Sequence, residues 1–247
     1  MSGHSKWANI KRKKEATDGA RAKIFTKIGR EMMVCIKEGG PDPNNNSRLR
    51  DLIAKAKSNN VPNDNIDRML KKAAGDSDKN NYETLVYEGY GPCGIAVIVE
   101  CLTDNKNRTA GDIRHYFDKF GGNLGTTGCV SFMFTLKGVI ILEYTGQDED
   151  KVMEDCFEAG ATDFNIEDDV IEVNCEPNDV SSAREALSGF GYKVVSADVE
   201  QIPSTYSTLE DEDAIKKMNL LLENLEDNDD VQNVYHNWEM PESYDEV

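Results

Sequence analysis

Six runs between residues 139 and 202 follow one another in an order that few folds accommodate. Residues 139–144 are apolar and β-branched, 149–159 have helical periodicity, and 163–167 and 170–175 are again strand-like. A second helical run at 180–190 and a strand-like run at 192–202 complete the set. The order βαββαβ predicts a ferredoxin-like domain. Residues 85–136 predict only part of such a unit. A strand-like run at 85–90 turns at Gly91-Pro92-Cys93-Gly94 into a buried strand at 95–102. A helix at 107–120 then buries Ile113, Phe117 and Phe120, a turn follows at 121–125, and 130–136 is another strand. The closing helix and strand are missing here. A helix-period run at 209–225, with Ile215, Met218, Leu221, Leu222 and Leu225 on one side, and a strand at 231–238 supply such a pair. Alone, they would leave an apolar face in water. The middle domain is therefore expected to be discontinuous, with the third domain inserted in it.

Residues 1–75 differ in kind. A helix is expected from Thr17-Asp18, with Ile24, Phe25, Ile28, Met32, Cys35 and Ile36 as its buried stripe and Gly39-Gly40-Pro41 as its stop. Ser47 is expected to cap a second helix with Leu49, Leu52, Ile53 and Ala56 inward. Val61-Pro62-Asn63-Asp64 opens a third, which buries Ile66, Met69, Leu70 and Ala73. Three short amphipathic helices with short loops predict an antiparallel bundle. The fold class is thus α+β multidomain: an N-terminal three-helix bundle, then two ferredoxin-like α+β domains, the third inserted in the second. The expected domains are 1–75, 76–136 with 206–240, and 137–205, with 241–247 as an acidic tail.

Charge divides the chain the same way. Residues 1–75 hold 17 Lys+Arg against 8 Asp+Glu, a net of +9, whereas 76–247 hold 11 against 38, a net of −27. A basic head on an acidic body points to a polyanion at one end. The candidate contacts in the arm are His4, Lys6, Trp7, Lys11, Arg12, Lys13 and Lys14; Trp7 either docks on the helices or stacks on a base. On the first helix they are Arg21, Lys23, Lys27 and Arg30, and on the others Arg48, Arg50, Lys55, Lys57, Arg68, Lys71 and Lys72. A secondary set is Lys106, Arg108 and Arg114, beside a strand-to-helix turn where backbone N–H groups are available to an anion.

Other classes find little support. No run of about 18 apolar residues is present, so no membrane span is expected. No apolar stretch follows the basic start, which argues against a signal peptide. The six cysteines form no Cys-x-x-Cys pair and read as buried thiols in a reducing compartment. Three scattered histidines make a metal site improbable, and no cofactor or small-molecule substrate is expected. The glycines at 121–125 lack the Lys-Ser/Thr of a phosphate loop. Asp112, His115 and Asp118 share a helix face as the best acid–base candidates, but no nucleophile motif accompanies them, and the chain is read as a non-enzyme.

Several motifs resemble those of the YebC family. Gly3-His4-Ser5-Lys6-Trp7-Ala8-Asn9-Ile10-Lys11 is similar to its opening signature, as are Pro41-Asp42-Pro43 with Arg48-Leu49-Arg50, Lys55-Ala56-Lys57, and Pro62-Asn63-Asp64-Asn65-Ile66-Asp67-Arg68. Tyr87-Glu88-Gly89-Tyr90-Gly91-Pro92, Leu102-Thr103-Asp104-Asn105-Lys106-Asn107-Arg108-Thr109 and Gly121-Gly122-Asn123-Leu124-Gly125 resemble middle-domain motifs. Ser47 and Cys129 depart from the usual Pro and Ser without changing charge. The resemblance implies three domains and a cytoplasmic, metal-free, non-enzymatic protein. It also implies a DNA-binding transcriptional regulator or, as in related proteins, a translation factor on ribosomal RNA or tRNA that relieves stalling at proline runs. The ribosome is the partner in that second case.

Overall fold

The computed structural model describes residues 18–75, 81–167 and 169–240. Residues 76–80, Asp168, the acidic tail and the arm to Thr17 lie outside them. Three helices come first: α1 (Asp18–Gly39), α2 (Ser47–Ser58) and α3 (Asn63–Gly75). Their core is Ile28, Met32, Cys35, Ile36, Leu49, Leu52, Ala56, Val61, Ile66 and Ala73. The cap of α2 is Asn46, not Ser47. Its Oδ1 accepts from Leu49 N (3.1 Å), while Nδ2 donates to Cys35 O (3.1 Å) and Gly40 O (2.9 Å). An amide offers acceptor and donor together, so one buried side chain starts α2 and ties it to the end of α1. A serine at 47 cannot do both.

Strands β1 (Glu83–Tyr90) and β2 (Ala96–Thr103) form a hairpin, followed by α4 (Lys106–Lys119) and the two-residue β3 (Asn123–Leu124). Strand β4 (Phe134–Glu143), α5 (Glu149–Glu158), β5 (Asp163–Glu167), β6 (Val170–Cys175), α6 (Val180–Gly189) and β7 (Val194–Pro203) come next, then α7 (Glu212–Asp227) and β8 (Val231–His236). The described residues make two compact units, Thr135–Ile202 in one and those from Asp18 to Phe134 and from Pro203 to Met240 in the other.

In the inserted unit the sheet order is β5-β6-β4-β7, the order of a βαββαβ ferredoxin-like fold. Val152 and Cys156 of α5 and Val180, Ala183 and Leu187 of α6 bury Ile140, Leu142, Ile171 and Val173. In the other unit the order is β3-β1-β2-β8. Val97, Val99 and Cys101 of β2 face Ile113 and Phe117 of α4 and Met218, Leu221, Leu222 and Leu225 of α7. Ala96 and Ile98 point the other way, onto Val130 and Phe134. Burial on both faces explains why β2 is apolar from Ala96 to Val99, before Glu100, which accepts from Asn233 Nδ2 at 3.0 Å, interrupts the run. Strand β8 pairs antiparallel with β2, so the returning helix and strand close this sheet.

Two further expectations fail. The strands expected at 130–136 and 139–144 are the single β4, preceded by a 3₁₀ turn at Ser131–Met133. Gly138, between the two expected strands, marks a close approach: a Cβ there would lie 2.4 Å from Val180 Cγ2. The turn expected at 121–125 contains β3, which pairs with β1 through Leu124 opposite Gly89. Gly89 admits it, because a Cβ would meet Asn123 O at 2.6 Å.

Candidate nucleic-acid interface

A helix shows water only the face that its neighbours leave uncovered, so the fate of each cation depends on what lies across from it. On α2, Leu49, Leu52 and Ala56 point inward. Arg50 and Lys57, seven residues apart, share one flank; Arg48 and Lys55 share the other. Arg48, Arg50 and Lys57 are exposed and Lys55 is half-buried. Arg48 pairs with Glu38 at 3.0 Å, but both side chains are more than half exposed, which makes the pair weak. On α3, Ile66 and Ala73 are buried while Arg68, Lys71 and Lys72 lie on the outer face and are exposed. Arg68 folds back along its helix onto Asp64 O and Asn65 Oδ1. Together, α2 and α3 present a cationic surface from which only Asp51, Asp64 and Asp67 subtract.

The cations of α1 have a different fate. Lys23 Nζ lies 2.7 Å from Asp227 Oδ1. Lys27 Nζ donates to Glu226 O (2.6 Å), a carbonyl at the C-terminal end of α7, where a cation also meets the negative end of the helix dipole. Arg30 Nη1 donates to Asp229 O (2.5 Å) and Asp230 Oδ1 (2.8 Å), with its guanidinium 5.8 Å from the Tyr82 ring centroid. The face of α1 off its bundle stripe is therefore turned to the acidic end of α7, and these three cations join the bundle to the middle sheet. Arg21 lies on α1, and its side chain is outside the described set. His4, Lys6, Trp7, Lys11, Arg12, Lys13 and Lys14 also lie outside the described residues.

Asp230 is the centre of this junction. It is buried, and besides Arg30 its carboxylate accepts from Arg108 Nη2 (2.7 Å) and Nε (3.2 Å) and from the hydroxyls of Thr109 (2.8 Å) and Thr103 (3.2 Å). Burial works against its charge, yet the bonds from Arg108, Thr109 and Arg30 outweigh that cost and hold its carboxyl below the ordinary aspartate range. Arg108 is thus committed within the protein, to Asp230 and, at 3.0 Å, to Asp104. The turn before α4 is also less open than expected: Asn105 caps the helix, taking Arg108 N at 3.2 Å. Lys106 and Arg114 remain exposed. Around the junction lies a cleft of about 560 Å³ lined by Lys23, Arg30, Arg108 and by Asp104, Asp112, Asp227, Asp229 and Asp230, too acidic to attract phosphate.

A second buried carboxylate shapes the loop after β3. Glu88 accepts from Gly128 N (2.8 Å), Val130 N (3.0 Å) and Ser131 N (2.8 Å). Burial raises its pKa, but these three backbone donors prevail and lower it overall. The acid–base trio on α4 does not assemble: His115 and Asp118 are exposed, Asp112 is half-buried, and His115 has Tyr116 as its ring neighbour. Among the described residues no His/Cys/Asp/Glu group is arranged to hold a metal, and no helix is long and apolar enough to cross a membrane.

Comparison with known proteins matches residues 5–76 to the TACO1/YebC N-terminal domain and 82–238 to the TACO1/YebC second and third domain. A probable transcriptional regulatory protein of Acetivibrio thermocellus is 59% identical over 239 residues, covering 96% of this chain and 99% of that protein. One from Ruminiclostridium cellulolyticum is 56% identical over 247 residues and the full length of both. The crystal structure of a conserved hypothetical protein from Aquifex aeolicus superposes with a TM-score of 0.81 at 40% identity, over 91% of this chain and 93% of that one.

Proposed function

The chain belongs to the TACO1/YebC family, and from that premise we propose that it regulates gene expression by binding DNA through its basic N-terminal domain. The observation that carries this reading is the outward placement of Arg48, Arg50, Lys57, Arg68, Lys71 and Lys72 on α2 and α3. Those six cations are exposed, whereas Lys23, Lys27 and Arg30 of α1 are held by the 226–230 segment of the same protein. Phosphate contacts give affinity and register; sequence readout needs base contacts. Arg48, Arg50 and Arg68 are the side chains with the bidentate geometry to read guanine. The names of the relatives, probable transcriptional regulatory proteins, support the same reading.

The alternative is a ribosome-associated translation factor. It is favoured by the spread of the cations over both flanks of α2 and the outside of α3, which suits an irregular RNA surface better than one groove. Crosslinking in cells followed by sequencing of the attached nucleic acid separates the two. Enrichment of promoter DNA supports transcriptional regulation. Recovery of ribosomal RNA or tRNA, with sedimentation alongside 50S or 70S particles, would replace it with the translation role.

A further inference from the structure

The inserted unit carries a surface that nucleic acid would avoid and that ordinary helix chemistry does not explain. Residues 135–202 hold 4 Lys+Arg against 17 Asp+Glu, a net of −13. On α5, Val152 and Cys156 are in the core, yet Met153 and Phe157 are 43% and 51% exposed. They sit four residues apart and so form one apolar row along the helix. Phe157 extends the row by packing edge-on against Phe164 of the edge strand β5, with ring centroids 5.9 Å apart. Asp150, Glu154 and Glu158 form a second row beside it at the same spacing, all exposed. Lys151, the cation of this helix, is bound to Asp155 at 2.7 Å.

We propose that this face of α5 and β5 docks a basic amphipathic segment of a partner protein, one with apolar side chains and Lys/Arg in adjacent rows. The two rows on α5 repeat about every 6 Å, the spacing at which a facing helix presents residues four apart. An apolar strip rimmed by polar residues is the usual mark of a protein-binding surface. Charge selects the occupant: an acidic rim steers a cationic partner to it and repels nucleic acid or an anionic membrane. This surface is made of different residues from the cationic face of the bundle, so the inference does not depend on what that face binds.

The test uses the full chain and a fluorescein-labelled amphipathic Lys/Leu helical peptide, titrated by anisotropy at about 150 mM salt. A Lys/Ser peptide of equal charge is the control, and circular dichroism checks the fold of each variant. The expected result is saturable binding of the Lys/Leu peptide, weakened about tenfold both by M153S/F157S and by E154K/E158K. The Lys/Ser peptide should also bind about tenfold more weakly than the Lys/Leu peptide. Three outcomes overturn the proposal. The first is that neither peptide binds, or that both bind equally. The second is that M153S/F157S leaves affinity within about twofold. The third is that the chain self-associates and M153S/F157S abolishes that association, which would make the occupant a second copy.

Discussion

Replacing Asp230 with Asn tests the junction between the bundle and the middle sheet with almost no change of shape. The carboxylate receives Arg30 Nη1 on Oδ1, and Arg108, Thr109 and Thr103 on Oδ2. An Asn side chain would keep its oxygen toward the three donors at Oδ2 and turn its NH₂ against Arg30, leaving that guanidinium facing a donor. The Arg30 side chain is only 16% exposed, so the lost charged bond is worth roughly 1.5–3 kcal/mol. Arg108 is 47% exposed and keeps Asp104, so its weakened pair adds only about 0.5–1 kcal/mol. The expected loss is about 3 kcal/mol near neutral pH. With a urea dependence of about 2 kcal/mol per molar, the midpoint should fall by about 1.5 M. The assay is Trp238 emission in a W7F background, since Trp238 is buried in the core of this unit and the chain has two tryptophans. Because the folded pKa of Asp230 is depressed, its contribution is complete above the unfolded aspartate value of about 3.9 and fades as pH falls through the folded one. The gap between parent and D230N should therefore close only in strong acid. A midpoint shift below about 0.3 M at neutral pH would refute the role given to Asp230.

Two other buried polar groups give further checks. Glu88→Gln removes the charge that gathers Gly128, Val130 and Ser131, and should cost about 2 kcal/mol and speed amide exchange at those three positions. Its folded pKa is also depressed, so this effect too should vanish only toward acid pH; unchanged exchange at neutral pH would deny the anchor. Asn46→Ala should lower stability by about 2 kcal/mol through the lost α2 cap and the lost donor to the Gly40 carbonyl, whereas Asn46→Ser should recover the cap alone, and equal losses in a urea titration would contradict that division.

Periodicity carried most of the fold. The order of runs from 139 to 202, and the unpaired helix and strand after it, are enough to infer an inserted domain, because each amphipathic face needs a partner. What periodicity cannot see is the neighbour of a polar face. Lys23, Lys27 and Arg30 lie off the apolar stripe of α1 as Arg50 and Lys57 lie off that of α2, yet the first three meet the 226–230 segment. Asp230 reads as one more acid in a polar turn, and its burial follows only from the long-range pairing of β8 with β2. Glu88 stands among the small and aromatic residues of β1 as a solvent-facing position would, and it is buried because the 128–131 loop folds over it. Gly138 and Asn46 carry no local signal of what they do. Their roles are set by Val180 and Cys35, far away in sequence or on another helix.

The central claim is that the cations of α2 and α3, with those of the arm, hold nucleic acid by its phosphates. The most direct measurement is the affinity of the full chain for duplex DNA as a function of salt, for the parent and for R50E/K57E/R68E/K72E. If about 6–8 phosphates are neutralised, log affinity should fall with log salt at a slope of about −5 to −7. Losing four of the contacts should flatten it by about 3 to 4. A parent slope near zero, or a variant slope equal to the parent's, would contradict the claim.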